Sequence, residues 1–286
     1  MQLPSGKLTA MRSSNKQSKA HIGKDWFSLF SVMITLLVIL FIGSAIIAII
    51  IGGLPDFFET IRSREVLFAF HLSLITSTIS SILVMLLAMP SAYTLTRIQI
   101  PGSRLCELLI ELTLSLPYLL LGLSLLIIFS SPAGKWLKSM GFQVVFAPAG
   151  IVMAHVLVNL SYAIRMIKTA FADSDERLEY IARTLGASRF RSFTTILLPM
   201  CKKNLVSTFI LTWSRAMGEF GATLMLVGIT RMKTETLPGS IYLSISTGDP
   251  KAAMSTAVLM LFLSAAAMLL SHLTENSGLN RVRKAM

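Results

Sequence analysis

The chain alternates long apolar stretches with shorter polar ones along most of its length. There are six such apolar stretches. One of them, residues 204–230, carries only Arg215 and Glu219 as charged residues. Each stretch is at least as long as the ~20 residues that a helix needs to cross the hydrocarbon core of a bilayer. The other five stretches contain no Asp, Glu, Lys or Arg, and they cover residues 26–55, 66–96, 112–134, 139–164 and 252–274.

This pattern predicts an all-α integral membrane protein with six transmembrane helices. Pro117 lies inside the third of them, where the loss of one backbone hydrogen bond predicts a kink. A basic, serine-rich segment, residues 1–28, precedes a transmembrane domain over 29–273, and a short tail follows over 274–286. The predicted spans cover residues 29–51, 66–96, 105–130, 149–170, 204–229 and 252–273.

The composition supports burial in a bilayer. Of the 286 residues, 53% are hydrophobic and only 14% are charged, and the mean hydropathy is +0.70. A soluble domain has about a quarter of its residues charged. The net charge of +12 does not indicate nucleic-acid binding, because the basic residues concentrate in short loops between apolar stretches.

The distribution of Lys and Arg predicts the orientation in the membrane. Basic loops are retained on the cytoplasmic side. The N-terminal segment, the second and fourth connections and the tail hold 18 basic residues, whereas the three alternate loops hold 7. Both termini are therefore predicted to be cytoplasmic, in a multi-pass protein of the plasma or inner membrane.

The sequence lacks common signatures of catalysis. It has no Gly-x4-Gly-Lys-Ser/Thr phosphate loop and no constellation of nucleophile and base. Cys106 and Cys201 lie far apart and suggest neither a disulfide nor a metal site, and His71 and His155 are isolated within apolar spans. No enzyme activity, cofactor or metal is predicted.

The connection between the fourth and fifth spans, residues 171–203, has a pattern of its own. Ser174 can cap a helix whose first turn is acidic, and Gly186 is expected to stop or bend that helix. Pro199 is expected to end a second amphipathic piece that follows. The apolar residues of that piece recur at helical spacing at Phe190, Phe193 and Ile196.

Two interpretations of this connection follow from its amphipathic character alone. A short exposed helix pair can insert into a groove on a partner protein and transmit the partner's motion. Equally, such helices can lie along the lipid interface as a connector.

The connection resembles the docking motif of ABC importer permeases, in which a glycine, nine residues and then Ile-x-Leu-Pro follow an Ala-containing start. The family usually has Glu-Ala-Ala at that start, whereas the same register here gives Tyr180-Ile181-Ala182, with the acidic residue displaced by one position. The resemblance implies contact with an ATPase through this loop, at Glu179, Ala182, Gly186, Ile196, Leu198 and Pro199.

A second resemblance concerns the substrate. The segment Arg215–Thr223 looks like the fifth-span signature of molybdate, tungstate and sulfate permeases. The later segments 233–238 and 241–249 look most like the molybdate/tungstate branch. The similarity extends over roughly residues 66–272.

Arg215 and Glu219 lie four residues apart, hence on one face of a continuous helix, where they can pair. Charged groups within a membrane usually face a bundle interior or a watery path. One interpretation places Arg215, Gly218, Glu219 and Thr223 at the translocation pathway or its gate. The other is an internal salt bridge that fixes helix packing.

The resemblance implies a type I ABC importer permease fold, with helices two to six as the core and the first outside it. It also implies a second permease copy, two ATP-binding subunits, an extracytoplasmic substrate-binding protein and an oxyanion as substrate, most of all molybdate or tungstate. ATP hydrolysis would belong to the partner subunit. The alternatives are a sulfate or thiosulfate permease and an ion-coupled secondary carrier.

Overall fold

The structure is a computed structural model that describes residues 26–98 and 100–285, with side chains as far as Leu273. All regular secondary structure in these residues is helical. Most of the basic segment predicted at 1–28 and the side chains of the tail predicted at 274–286 lie outside the described part. The chain divides after Ala48 into two compact units.

The first unit contains most of helix α1, Trp26–Gly53, which agrees with the first predicted span. The helix carries no charged side chain, and its apolar residues occupy every side rather than one face. A helix that is apolar all round suits a lipid environment. Trp26 stacks on Phe30, with 5.7 Å between their ring centroids.

The second unit begins at Ile49 and holds the remaining helices. Two of its long helices, α3 and α7, agree with the second and fourth predicted spans. The helices are α2 (Phe57–Thr60), α3 (Arg64–Arg97), α4 (Ser103–Ser115), α5 (Tyr118–Ser130), α6 (Pro132–Ser139), α7 (Pro148–Ala172), α8 (Glu176–Thr184), α9 (Arg189–Ser192), a π-helix (Phe193–Leu197), α10 (Leu198–Met200), α11 (Lys202–Met217), α12 (Gly221–Val227), α13 (Leu237–Ser246) and α14 (Pro250–Ala285).

Helices α3 and α7 form the centre of this unit. Most of the buried residues of α3 are small, among them Ala69, Ser77 and Ala88, so the α7 backbone can approach closely. Large buried side chains of α7, such as Ile167 and Phe171, then fill the space near the end of the pair. This packing positions the connection that follows α7.

The third predicted span is wrong as a single kinked helix. It consists of α4 and α5, which meet at an angle of 113° around Leu116 and Pro117. Leu116 is extended, with ψ 141°, because a residue before proline is disfavoured in the helical region. Tyr118 therefore begins a new helix at a sharp corner.

The fifth predicted span is also interrupted. Helix α11 ends at Met217, the residues from Gly218 to Phe220 are non-helical, and α12 begins at Gly221. Within residues 26–98 and 100–285, four helices (α1, α3, α7 and α14) are long and apolar enough to cross a membrane. The bent pair α4–α5 is a fifth candidate. The sixth span stays a prediction, and the interrupted pair α11–α12 is compatible with it.

The close crossing of α5 and α12 depends on a glycine. A Cβ at Gly122 would lie 2.6 Å from the Ala222 Cα and would also meet the backbone carbonyl of that residue. Backbone atoms of a buried helix cannot move aside as a flexible side chain can. The two helices would have to separate to admit a methyl group.

We expect Gly122→Ala to lower the free energy of unfolding by about 1–3 kcal/mol, as overpacking of a well-packed site does. The measurement is thermal unfolding of the purified protein in detergent. Gly43→Ala is the matched control, because a Cβ there meets nothing within 4 Å and alanine favours the helix. Equal stability of the two variants would contradict the close crossing.

Candidate coupling surface and transport path

Helix α8 begins the connection that resembles a docking motif. Its N-cap is Asp175, whose carboxylate accepts a hydrogen bond of 3.0 Å from the Arg177 N–H, so the predicted cap at Ser174 is wrong by one residue. The Ser174 hydroxyl instead donates to the Phe171 carbonyl. Gly186 has φ +93° just beyond the end of α8, which confirms the predicted stop.

Arg97, the last residue of α3, fixes α8 to the membrane helices. Its Nε donates to Glu179 Oε1 at 3.0 Å, and the side chains of both residues are less than one-tenth exposed. Its Nη2 donates to the carbonyls of Phe171 and Ser174, at 2.9 and 3.1 Å, and to the Ser174 hydroxyl. Glu179 thus lies inside, bound to this chain's own arginine, and not on the outer surface.

The second piece of the connection is not one regular amphipathic helix. A π-helix from Phe193 to Leu197 widens the turn, so Phe193 and Leu197 face the core while Phe190 stays 76% exposed. The Phe193 ring packs against Tyr93, with centroids 5.0 Å apart. Pro199 does not end the piece as predicted, because it occupies the first turn of α10, where its missing N–H costs no hydrogen bond.

Large apolar side chains of the connection remain exposed. Leu185 is 84% exposed and Tyr180, at the register of the family's usual glutamate, is 66% exposed. Of the other predicted contact residues, Ala182, Ile196 and Leu198 are half-buried and Pro199 is exposed. We call Tyr180, Ile181, Leu185 and Phe190 the exposed apolar set.

Arg215 makes neutral contacts near the end of α11. Its Nη2 donates to the Tyr118 hydroxyl at 2.7 Å, and its Nε donates to Asn159 Oδ1 at 3.3 Å. The guanidinium carbon lies 4.5 Å from the centre of the Tyr162 ring, a cation–π geometry. The residue is nevertheless exposed in the single chain.

Glu219 has a separate role, so the predicted pairing of Arg215 with Glu219 is wrong. The helix breaks at Gly218, and the buried Glu219 carboxylate turns to the start of α12. There it accepts hydrogen bonds from the Ala222 and Thr223 N–H groups, at 2.7 and 3.1 Å, and from the Thr223 hydroxyl. It neutralises the positive end of this helix.

A buried polar layer lies beside Glu219. The His155 Nε2 is 3.9 Å from Glu219 Oε2, and its Nδ1 is 3.5 Å from the Ser80 hydroxyl. Asn159 donates from Nδ2 to the His155 carbonyl at 3.0 Å. These contacts connect α3, α7 and the break between α11 and α12 through side chains.

A cavity of about 400 Å³ lies between α2, the start of α3, α13 and the start of α14. Arg231 and Lys251 are the basic residues at its wall, and Arg231 pairs with Glu65 at 3.4 Å. Because carboxylates outnumber cations there, the cavity repels anions. Its acidic lining residues are Asp56, Glu59, Glu65, Glu235 and Asp249.

Several residues of this site carry no signal in the sequence. In the sequence, Arg97 is one of many basic residues that follow an apolar stretch and indicate orientation in the membrane. Its partner Glu179 lies 82 positions away. Tyr118 and Tyr162 read as isolated aromatic residues in apolar spans. Only the tertiary packing brings them to Arg215.

Several known transport permeases have similar sequences. The chain is 33% identical over 234 residues to the molybdenum transport system permease protein ModB of Mycobacterium tuberculosis, covering 81% of this chain and 88% of that protein. It is 29% identical over 208 residues to the sulfate transport system permease protein CysT of Escherichia coli, covering 72% and 75%.

The fold matches a chain in the crystal structure of a bacterial alginate ABC transporter in complex with an alginate-bound periplasmic protein. The TM-score is 0.71 at 14% identity, over 87% of this chain and 94% of that one. Residues 85–276 match the family model described as binding-protein-dependent transport system inner membrane component. The chain therefore belongs to this family, as the permease subunit of an ABC transporter.

Proposed function

We propose that this chain is the permease subunit of an ATP-driven importer for a tetrahedral oxyanion, molybdate or tungstate. Two copies would work with two ATP-binding subunits and an extracytoplasmic substrate-binding protein. The observation that carries the proposal concerns the connection between α7 and α11. It exposes large apolar side chains while the buried Arg97–Glu179 ion pair holds it in place.

The exposed apolar set suits a separate protein as its cover. Leu185 and Phe190 would each leave a large apolar area in water, and burying such a side chain contributes about 1.5–3 kcal/mol. The connection that carries them is held by Arg97 and by the aromatic contacts of Phe193. A partner bound to these side chains would therefore move the connection as a rigid body. In this proposal the side of the connection is cytoplasmic, where ATP is available.

Movement of residues 174–199 would pass to the membrane helices. Arg97 joins α8 to the ends of α3 and α7, and α11 follows directly after the π-helix and α10. Closure of the ATP-binding subunits would therefore tilt these helices and open a path between the two permease copies. The break at Gly218, with Arg215, Glu219 and Thr223 around it, would lie at the gate of that path.

The substrate branch follows from two similarities. The segments 233–238 and 241–249 resemble the molybdate/tungstate branch, and ModB covers more of this chain than CysT does. Sulfate or thiosulfate is the second candidate, because CysT is also similar and sulfate is a tetrahedral dianion of like shape. Membership of a binding-protein-dependent family favours both over an ion-coupled carrier.

Uptake by cells that express the complete transporter distinguishes these substrates. We expect molybdate and tungstate to compete with each other at low excess, and sulfate to compete only at high excess. Sulfate that blocks uptake at low excess, with molybdate and tungstate inert, would identify the second candidate. Uptake by the purified chain alone, driven by an ion gradient, would identify a secondary carrier.

Leu185→Asp tests the docking surface. A charge at this 84% exposed position would oppose burial, so we expect the affinity for the ATP-binding subunit to fall by about tenfold or more. Co-purification and titration of the two proteins measure it. Trp136→Asp, at a 62% exposed position in α6, is the control that should leave affinity unchanged.

A double-mutant cycle on Arg97 and Glu179 tests the transmission of motion. Each single change to Gln leaves a buried charge without its partner, whereas the double change leaves none. We expect each single variant to hydrolyse more ATP per anion imported. The double variant should be less impaired than the sum of the two single effects, by a coupling free energy of about 1–3 kcal/mol.

The same cycle on Lys168 and Glu107 is the control. Their contact of 2.5 Å is shorter, but both side chains are more than one-third exposed, so little coupling is expected. Additive effects of the Arg97 and Glu179 changes would show that the buried pair does not transmit motion.

A further inference from the structure

We propose that Arg215 and Tyr118 together form an anion-contact point in the transport path, for tetrahedral dianions of the molybdate, tungstate and sulfate class. This inference rests on the proposed function, and it assigns distinct roles to the residues around the break in the fifth predicted span. Arg215 and Tyr118 contact the anion, Asn159 and Tyr162 orient the guanidinium, and Glu219 serves the fold.

The positive charge of Arg215 keeps no acidic partner. It contacts a hydroxyl, an amide oxygen and an aromatic ring, and no carboxylate in the described part of the chain forms an ion pair with it. A guanidinium has five N–H donors in a planar fork. Two of the nitrogens are engaged here, so donors remain for an oxyanion at an exposed position.

The Tyr118 hydroxyl is prepared to donate. It accepts its hydrogen bond from Arg215 Nη2, so its own hydrogen is not used in that contact. The residue is 38% exposed at the first position of α5, directly after the 113° corner. An anion placed beside the guanidinium can therefore receive charge-assisted N–H bonds and one O–H bond together.

Asn159 is excluded as a donor to the anion. The residue is 1% exposed, its Nδ2 donates one of its two hydrogens to the His155 carbonyl, and its Oδ1 accepts from Arg215 Nε. This fixed amide therefore points an acceptor at the guanidinium and sets its orientation. Tyr162 restricts the guanidinium on its face, so the remaining donors lie in a defined plane.

Glu219 is excluded as a partner of the anion. Its carboxylate is buried, and it would repel a dianion if it turned toward the path. Its three hydrogen bonds to Ala222 and Thr223 hold it at the start of α12. The acidic cavity near α2 is excluded for the same electrostatic reason, since its carboxylates outnumber its two basic residues.

The test restores the charge chemically on a fixed backbone. Arg215→Cys is prepared in a Cys106→Ser background, because Cys106 is exposed whereas Cys201 is buried. The full transporter, with its substrate-binding protein and ATP-binding subunits, is placed in proteoliposomes. The thiol introduced at position 215 is then converted to a mixed disulfide, either with aminoethyl methanethiosulfonate, which adds a cation, or with methyl methanethiosulfonate, which is neutral. Mass spectrometry checks the labelling.

We expect Arg215→Cys to reduce molybdate or tungstate uptake by about tenfold or more, since a charge-assisted contact is lost. The aminoethyl reagent should recover most of the uptake, and the neutral reagent should recover none. Tyr118→Phe should reduce uptake by a smaller factor, because it removes one donor and leaves the ring. Ser214→Cys, on the adjacent position of α11, is the control that neither reagent should change.

Each other outcome overturns the inference. Unchanged uptake by Arg215→Cys shows that the charge is not needed, and equal recovery with the neutral reagent shows a role for volume alone. A thiol that is not labelled shows that water does not reach the position. Labelling without recovery shows that the arginine serves packing.

Failure of the proposed function has a different signature. In that case the unmodified transporter imports none of the three dianions in the same vesicles, although the substrate-binding protein and ATP are present. A transporter that imports them while Arg215→Cys is unaffected contradicts only the anion-contact point.

Discussion

The buried ion pair between Arg97 and Glu179 is the contact on which the arrangement of the connection depends. It lies where three segments meet: the end of α3, the end of α7 and the first turn of α8. Ion pairs this deeply buried contribute little net stability, but removing one partner leaves an uncompensated charge. The pair therefore specifies one position for α8 and makes the alternatives costly.

This constraint explains why the exposed apolar set has a fixed shape. Short helices such as α8, with nine residues, are marginal by themselves in water. Here α8 is capped at Asp175, stopped near Gly186 and held from inside by Arg97. The side facing away from Arg97 needs no further contact within the chain, and its apolar side chains remain available to another protein.

The sequence predicted the parts of this fold that depend on local pattern. Long apolar stretches marked α1, α3, α7 and the first part of α14, and a glycine marked the end of α8. It did not predict the contacts between positions far apart, because a single chain offers no signal that Arg97 and Glu179 meet. The cap at Ser174 was misplaced because Asp175, equally suited to capping, stands next to it.

The two interrupted spans were missed for a related reason. Apolar composition identifies a stretch that can lie in a membrane, but the composition does not require one straight helix. Pro117 by itself predicts only a kink, whereas the extended Leu116 before it turns the chain through 113°. The break near Gly218 has no proline at all, and Glu219 stabilises it by accepting hydrogen bonds from the next helix.

That break also determines the electrostatics of the predicted path. In a continuous helix, Arg215 and Glu219 would face each other one turn apart and neutralise each other. Ending α11 at Met217 turns the carboxylate toward the α12 N–H groups and leaves the guanidinium to neutral partners. One interruption of the backbone thus separates two opposite charges, and it gives the negative one to the fold while the positive one stays exposed to an anion.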